Sequence, residues 1–254
     1  MTPSAGDSAS ELVAVTASAE REAARLSDRL AEIEVEQATL EAELAAFDAD
    51  YMREVMTVML DVQELEARIL AVLATRSGAA GDAEAAYGAR ERVRETTAHI
   101  RAVPTAPGPL PTGDIKRRFR EAAKRMHPDL APGDEARGHA EAFMKRLNHA
   151  YRAGDAEAIA DLVRQWEASP FGAAAGLEDA ATRSARAERR VVALGDAVAR
   201  AQARLDELRG SELARLMERS MAATAAGGDL LAELRRAAEL QLAQARARLA
   251  ALDA

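Results

Sequence analysis

The sequence predicts an all-α protein, and three observations carry that expectation. Aromatic residues are scarce (Phe 4, Tyr 3, Trp 1 in 254 residues), yet 48% of the chain is hydrophobic, and that total rests mainly on Ala and Leu. Side chains of so little bulk suit thin helical packing, whereas sheets draw on β-branched and aromatic residues. The stretch from Leu12 to Ala74 holds neither Pro nor Gly. Within it, apolar residues recur at alternating intervals of four and three, as in a heptad seam.

The totals narrow the function before any motif is considered. With 34 Lys+Arg against 42 Asp+Glu, the formal charge is -8, so the chain as a whole repels nucleic acid and anionic membranes unless a basic patch is segregated. The absence of Cys removes disulfides, thiol catalysis and Cys-based metal sites. Four histidines, at 99, 127, 139 and 149, do not suggest a metal centre, and no metal or cofactor is expected. His99, His139 and His149 read as surface or boundary residues. No run approaches 18 uncharged apolar residues, and the first thirty have no basic start followed by an apolar core. A cytoplasmic protein without a membrane span is the expectation.

Residues 1–10 read as a flexible start, and 11–75 as one long acidic coiled-coil helix. Its seam runs Leu26, Leu30, Ile33, Gln37, Leu40, Leu44, Phe47, Tyr51 and then Val55, Val58, Val62, Leu65, Ile69, Val72. Two spacings of four meet at Tyr51, a four-residue stutter that unwinds a supercoil locally without ending the helix. Met56, Met59 and Leu60 widen the apolar surface there, either as ordinary core filling or as a place where helices pack on two faces. Residues 11–74 carry 15 acidic and 5 basic side chains, a segment charge of -10 that reads as a solvated face.

Residues 76–113 read as a linker with a short helix around Tyr87, Val93 and Ile100. They end in a break formed by Pro104, Pro107, Gly108, Pro109, Pro111 and Gly113. From Asp114, a candidate helix cap, the pattern changes. Ile115, Phe119, Ala122, Ala123 and Met126 form one stripe, and the other faces carry Lys116, Arg117, Arg118, Arg120, Lys124 and Arg125. Six basic residues against Asp114 and Glu121 give +4 inside an acidic chain, which suits an electrostatically steered docking face. His127-Pro128-Asp129 ends the helix, because Pro128 has no N–H to donate and restricts His127 to extended geometry. A second helix places Phe143, Leu147, Ala150 and Tyr151 on one face with Asn148 beside them. A third, after Gly154-Asp155, carries Ile159, Leu162, Val163 and Trp166.

This centre, 114–168, resembles a J-domain, the Hsp70-activating module of DnaJ-type co-chaperones. The likeness rests on Ile115-Lys-Arg-Arg-Phe-Arg-Glu-Ala-Ala-Lys-Arg-Met-His-Pro-Asp129 and Phe143-Met-Lys-Arg-Leu-Asn-His-Ala-Tyr151, within about 40 of the 254 residues. It implies an antiparallel helical hairpin with core positions Ile115, Phe119, Ala123, Met126, Phe143, Leu147, Ala150 and Tyr151, and the characteristic polar Asn148. It further implies an exposed loop, His127, Pro128 and Asp129, that meets a DnaK-like Hsp70, and a basic face, Lys116, Arg117, Arg118, Arg120, Lys124 and Arg125, that steers docking. No enzymatic role of its own is implied. Where the family has its first helix this chain has Pro104 to Gly113, so either the helix around Val93 to Ile100 substitutes or the hairpin leans on the flanking coils. The helix after Gly154 also lacks the family's basic ending.

Residues 169–176 read as a linker and 177–254 as a helical hairpin. One seam is Leu194, Val198, Ala201, Leu205, Leu208; the other is Leu231, Ala238, Leu242, Ala245, Leu249, Leu252, with Gly227-Gly228 as the turn. The acidic first helix can pair with the Arg-rich C-terminal helices, or the coils can hold a client or a second copy. The leading expectation is thus a J-domain-like co-chaperone with coiled-coil arms. A structural coiled-coil adaptor with a degenerate J-fold is the alternative. Nucleic-acid binding through the basic helix is a second alternative, weakened by an inter-helix stretch longer than a helix-turn-helix turn.

Overall fold

The computed structural model describes residues 5–103, 109–131, 133–171 and 180–253. Among them the fold is all-helical, without a strand. The chain divides into two compact units, each assembled from distant stretches: residues 1–43 with 108–210, and 44–107 with 211–254. These boundaries differ from the contiguous segments expected from the sequence. Every long helix here is too thin to enclose a core, so each takes its partners from elsewhere in the chain.

The long helix α1 spans Ala5–Tyr51, so Ala5 to Ser10 belong to it, while residues 1–4 lie outside the described residues. A five-residue π turn, Met52–Met56, follows directly at the Tyr51 stutter, with the Thr57 N–H reaching back to the Met52 carbonyl. A π turn takes up the surplus residues in one widened turn and re-aims the seam. Helix α2, Thr57–Ser77, then continues the seam, with Val62 and Ile69 buried.

In the second unit α2 packs against α3, Ala80–Ala102, and against α9, Leu230–Asp253. Of the two readings open near Met56, packing on two faces is the one found, because the π turn and α2 both meet α3 and α9. Gly78 closes α2 with φ +66°, where an L side chain would be strained, and turns the chain into α3. Helix α3 is 23 residues long rather than a short linker helix. Its buried residues are Ala86 and Ala89, too small to stand out as an apolar stripe. Arg76 donates to the Leu252 carbonyl near the ends of α2 and α9, while the π turn that precedes α2 also meets α9, so α2 and α9 run parallel. Helix α8, Glu212–Ala225, is capped by Ser211 and joins α9 through Gly227.

In the first unit α4, Gly113–Met126, and α5, Asp134–Arg152, form a hairpin around the 3-10 turn Pro128–Leu130. Phe119, early in α4, lies 4.6 Å from Tyr151, late in α5, so the pair is antiparallel. The cap of α4 is Thr112, whose hydroxyl accepts the Ile115 N–H. Asp114 instead sits in the first turn and pairs with Arg117 and Arg118. Helix α6, Ala156–Glu167, returns along α5 and is capped by Asp155. Pro104 to Gly108 and most of the 169–176 linker lie outside the described residues.

Helix α7, Ala180–Arg209, also belongs to this unit. Its seam residues Leu194, Ala197, Ala201 and Leu205 bury themselves against Ala23, Leu30 and Ile33 of α1, not against the C-terminal seam. The C-terminal hairpin expected over 177–254 is replaced by this arrangement. Arg29 donates to Gln202, Arg204 to Glu34 and Arg209 to Glu36, a rising series that makes α1 and α7 parallel.

The turn after α5 gives the fold a sharp test. Gly154 has φ +68°, its N–H bonds the Tyr151 carbonyl, and a Cβ there would meet the Pro109 ring at 2.9 Å. Gly154→Ala should destabilise the protein by about 1–2 kcal/mol, from left-handed backbone strain and the clash. Gly138→Ala, on an exposed face of α5 with open space around it, should stabilise by about 0.5–1 kcal/mol. Urea unfolding of both variants measures the opposite signs.

Candidate functional site

The site is built at the tip of the α4–α5 hairpin. Ile115, Phe119, Ala122, Ala123 and Met126 face inward because α4 repeats its apolar residues at three and four. They meet Phe143, Met144, Leu147, Ala150 and Tyr151 of α5 and Ile159, Leu162 and Trp166 of α6 in one cluster. The same cluster takes in Val35 and Ala38 of α1. Of the two arrangements left open by the sequence, the hairpin leans on the first long helix, and α3 lies in the other unit.

A polar pin fixes that contact. The Thr39 hydroxyl donates to the Val35 carbonyl at 2.7 Å, and its oxygen lies 2.7 Å from the Tyr151 hydroxyl. With the threonine proton committed, Tyr151 is the donor in the second bond. Burial pushes the Tyr151 hydroxyl above its ordinary pKa, which keeps that proton in place.

His127 ends α4 in extended geometry, as Pro128 requires. Its side chain does not stand free on an exposed loop, which corrects the expectation from sequence: only 6% of His127 is accessible. Nδ1 accepts the Asp129 N–H at 3.2 Å. The neutral ring therefore carries its proton on Nε2, which lies 3.4 Å from Glu34 Oε1 of α1. Glu34, 8% accessible, also accepts from Arg204 of α7 at 3.4 Å. Pro128 is half-buried, and Asp129, with a quarter of its side chain accessible, pairs with Arg200 of α7 at 2.8 Å. That bond raises the Arg200 pKa above its ordinary value. The loop is thus enclosed by α1 and α7, because its polar groups find partners there.

The basic face is likewise partly engaged by the chain itself. Arg117 and Arg118 pair with Asp114, and their bonds, that of Arg118 foremost, hold the Asp114 carboxyl below its ordinary range. Lys124 pairs with Asp28 of α1 at 2.6 Å and with Glu121, and the Asp28 hydrogen bond raises its pKa. Arg125 pairs with Glu167 of α6. Lys116 has no ion pair among the described residues, and the Arg120 Nε is buried without a hydrogen-bond partner. Asn148 places its Oδ1 in the same unpartnered state beside the core.

Several residues of this site escaped the sequence reading. Asp28, Glu34, Arg200 and Arg204 lie too far away in the chain for any local pattern to connect them to the loop. Their only signal was the opposite charge of the two helices. His139, read as a boundary residue, joins an aromatic group with Phe143, Trp166 and Phe171, at ring distances of 4.8, 5.6 and 5.1 Å. Its four-residue spacing from Phe143 was the available clue. An open groove of about 570 Å³ between α5 and α6 mixes Lys145, Arg146 and Arg152 with Asp155 and Asp161, so it offers no field of one sign.

Among the described residues no cluster of three metal-ligating side chains occurs, and no helix is long and apolar enough to cross a membrane. No family model matches the chain, and no curated protein or solved structure does.

The two carboxylates of α1 differ in what they hold. Glu34→Ala removes a buried acceptor shared by His127 and Arg204 and should cost about 1–3 kcal/mol. Asp28→Ala breaks a pair at the surface and should cost under about 1 kcal/mol. Urea midpoints at an unchanged slope report both.

Proposed function

We propose that this chain is a J-domain-like co-chaperone that docks on an Hsp70-type (DnaK-like) chaperone and stimulates its ATPase. The observation that carries the reading is the antiparallel α4–α5 hairpin with His127-Pro128-Asp129 at its tip. All eight apolar positions of the resemblance (Ile115, Phe119, Ala123, Met126, Phe143, Leu147, Ala150 and Tyr151) are buried in one cluster beneath that tip. Four of the chain's eight aromatics, Phe119, Phe143, Tyr151 and Trp166, lie in that cluster.

Docking on this reading is electrostatic at first. The α4 face, +4 by formal charge, steers the hairpin to an acidic patch, and the exposed i, i+3 and i, i+4 pairs of Arg117 and Arg118 are weak enough to exchange for partner carboxylates. His127 and Asp129 then make the specific polar contacts, with Pro128 limiting the conformations the loop must give up. The helical arms hold a client, a partner or a second copy, and a cytoplasmic place of action accords with such a partner.

A second reading, a structural adaptor with a degenerate J-fold, is favoured by the burial of His127. Nucleic-acid binding gains little support, because four of the six face cations already pair with the chain's own carboxylates.

Single-turnover ATP hydrolysis by a DnaK-type Hsp70 separates these readings. The full chain should accelerate hydrolysis, and His127→Gln should return the rate to basal. Gln keeps an Nε2 donor for Glu34 but places no acceptor at the Nδ1 position, so the melting temperature of the variant is measured beside its ATPase stimulation to separate lost docking from lost folding. Absence of any His127-dependent acceleration, in the full chain and in variants that loosen the loop, would leave the adaptor. Salt-sensitive duplex binding that survives His127→Gln would favour nucleic acid.

A further inference from the structure

We propose that α1 and α7 form a built-in latch that holds the His127-Pro128-Asp129 loop closed, so that the resting chain is an autoinhibited form of the co-chaperone; the proposal rests on the co-chaperone reading above. Four polar contacts make the latch. Asp28 takes Lys124, Glu34 takes His127, Arg204 braces Glu34 from α7, and Arg200 takes Asp129. All four latch residues come from outside the hairpin. Two carboxylates meet the loop histidine and a face cation, as an acidic partner surface would, and one guanidinium occupies the loop carboxylate. The residues a partner needs are therefore already satisfied within the chain.

The rim of the latch is separable from the fold that carries it. The side chains of Arg200 and Arg204 are 55% and 46% accessible, and Asp28 is 61% accessible, so the rim of the latch is solvated and exchangeable. The apolar seam between α7 and α1, at Leu194, Ala197, Ala201 and Leu205, is fully buried and does not include these residues. Loosening the loop thus leaves α7 seated. If the closed form outweighs the open one by about ten to one, apparent affinity for Hsp70 falls by about the same factor.

The test uses the full chain and the double variant Arg200→Ala/Arg204→Ala, with Asp28→Asn as a second variant that acts from α1 should the double variant lose its fold. Amide hydrogen exchange at Asp129 and Ala131 reads the loop without Hsp70, and single-turnover ATPase titrations read docking. The expected result is faster exchange at both amides and an about tenfold lower half-maximal concentration, with the stimulation abolished when His127→Gln is added. Exchange and half-maximal concentration equal to the wild type, with stimulation still dependent on His127 in both, overturn the latch and leave the co-chaperone reading standing. Faster exchange with no stimulation in any variant overturns the co-chaperone reading, and the latch with it.

Discussion

Two-sided burial of α1 between Leu30 and Ala38 is the constraint on which the first unit depends. Leu30 and Ile33 are closed off by the α7 seam, and Val35 and Ala38 by the hairpin core. A helix usually buries one stripe. Here two stripes lie close together around the same turns, and Glu34 falls between them. A carboxylate in that position cannot reach bulk water freely, so it is stable only if the elements on either side supply donors. His127 comes from one side and Arg204 from the other. One acidic residue in an apolar stretch thereby ties together three segments that lie far apart in the chain.

The hairpin needs this support because it is small. Helices of 14, 19 and 12 residues enclose little volume by themselves, and residues 109–112 before them form no helix that could cover them. Val35, Ala38 and the Thr39–Tyr151 hydrogen bond supply the missing wall. Dependence on α1 has a geometric consequence. Once the hairpin is seated on α1, its tip lies beside Glu34 and within reach of α7, so the polar enclosure of the loop follows from the same packing that completes the core.

Much of this was legible in the sequence where the cause is local. The apolar spacing in α4 and α5 specifies which faces turn inward, Pro128 specifies where α4 stops, and the doubled interval at Tyr51 marks the site that the π turn Met52–Met56 occupies. Long-range facts were not legible in the same way. Heptad spacing is identical for parallel and antiparallel partners, so only the contacts of Arg29, Arg204 and Arg209 reveal that α7 runs with α1. The burial of His127 depends on a residue 93 positions earlier, and no periodicity carries that information. Helix α3 leaves little apolar signal because alanines bury it, and Asp114, a good cap residue by type, lies two residues past the true cap Thr112 and serves in charge pairing instead.

The distribution of charge gives the arrangement its functional sense. An acidic α1 and basic α4 and α7 within one chain satisfy one another, and tethering keeps each group at a local concentration that a separate partner must match. Hydrophobic contacts between the same helices are indifferent to such competition, because exposing the Leu194–Leu205 seam carries an unfavourable hydration cost that exchange of one ion pair for another does not. The apolar seam and the polar enclosure therefore answer to different challenges. A partner that offers carboxylates can compete for Lys124 and His127 without contesting the packing of α7 on α1. Asp28 and Arg200 lie in a solvated layer where binding and folding do not have to oppose each other, whereas Glu34 and Arg204 serve both the loop and the packing around it.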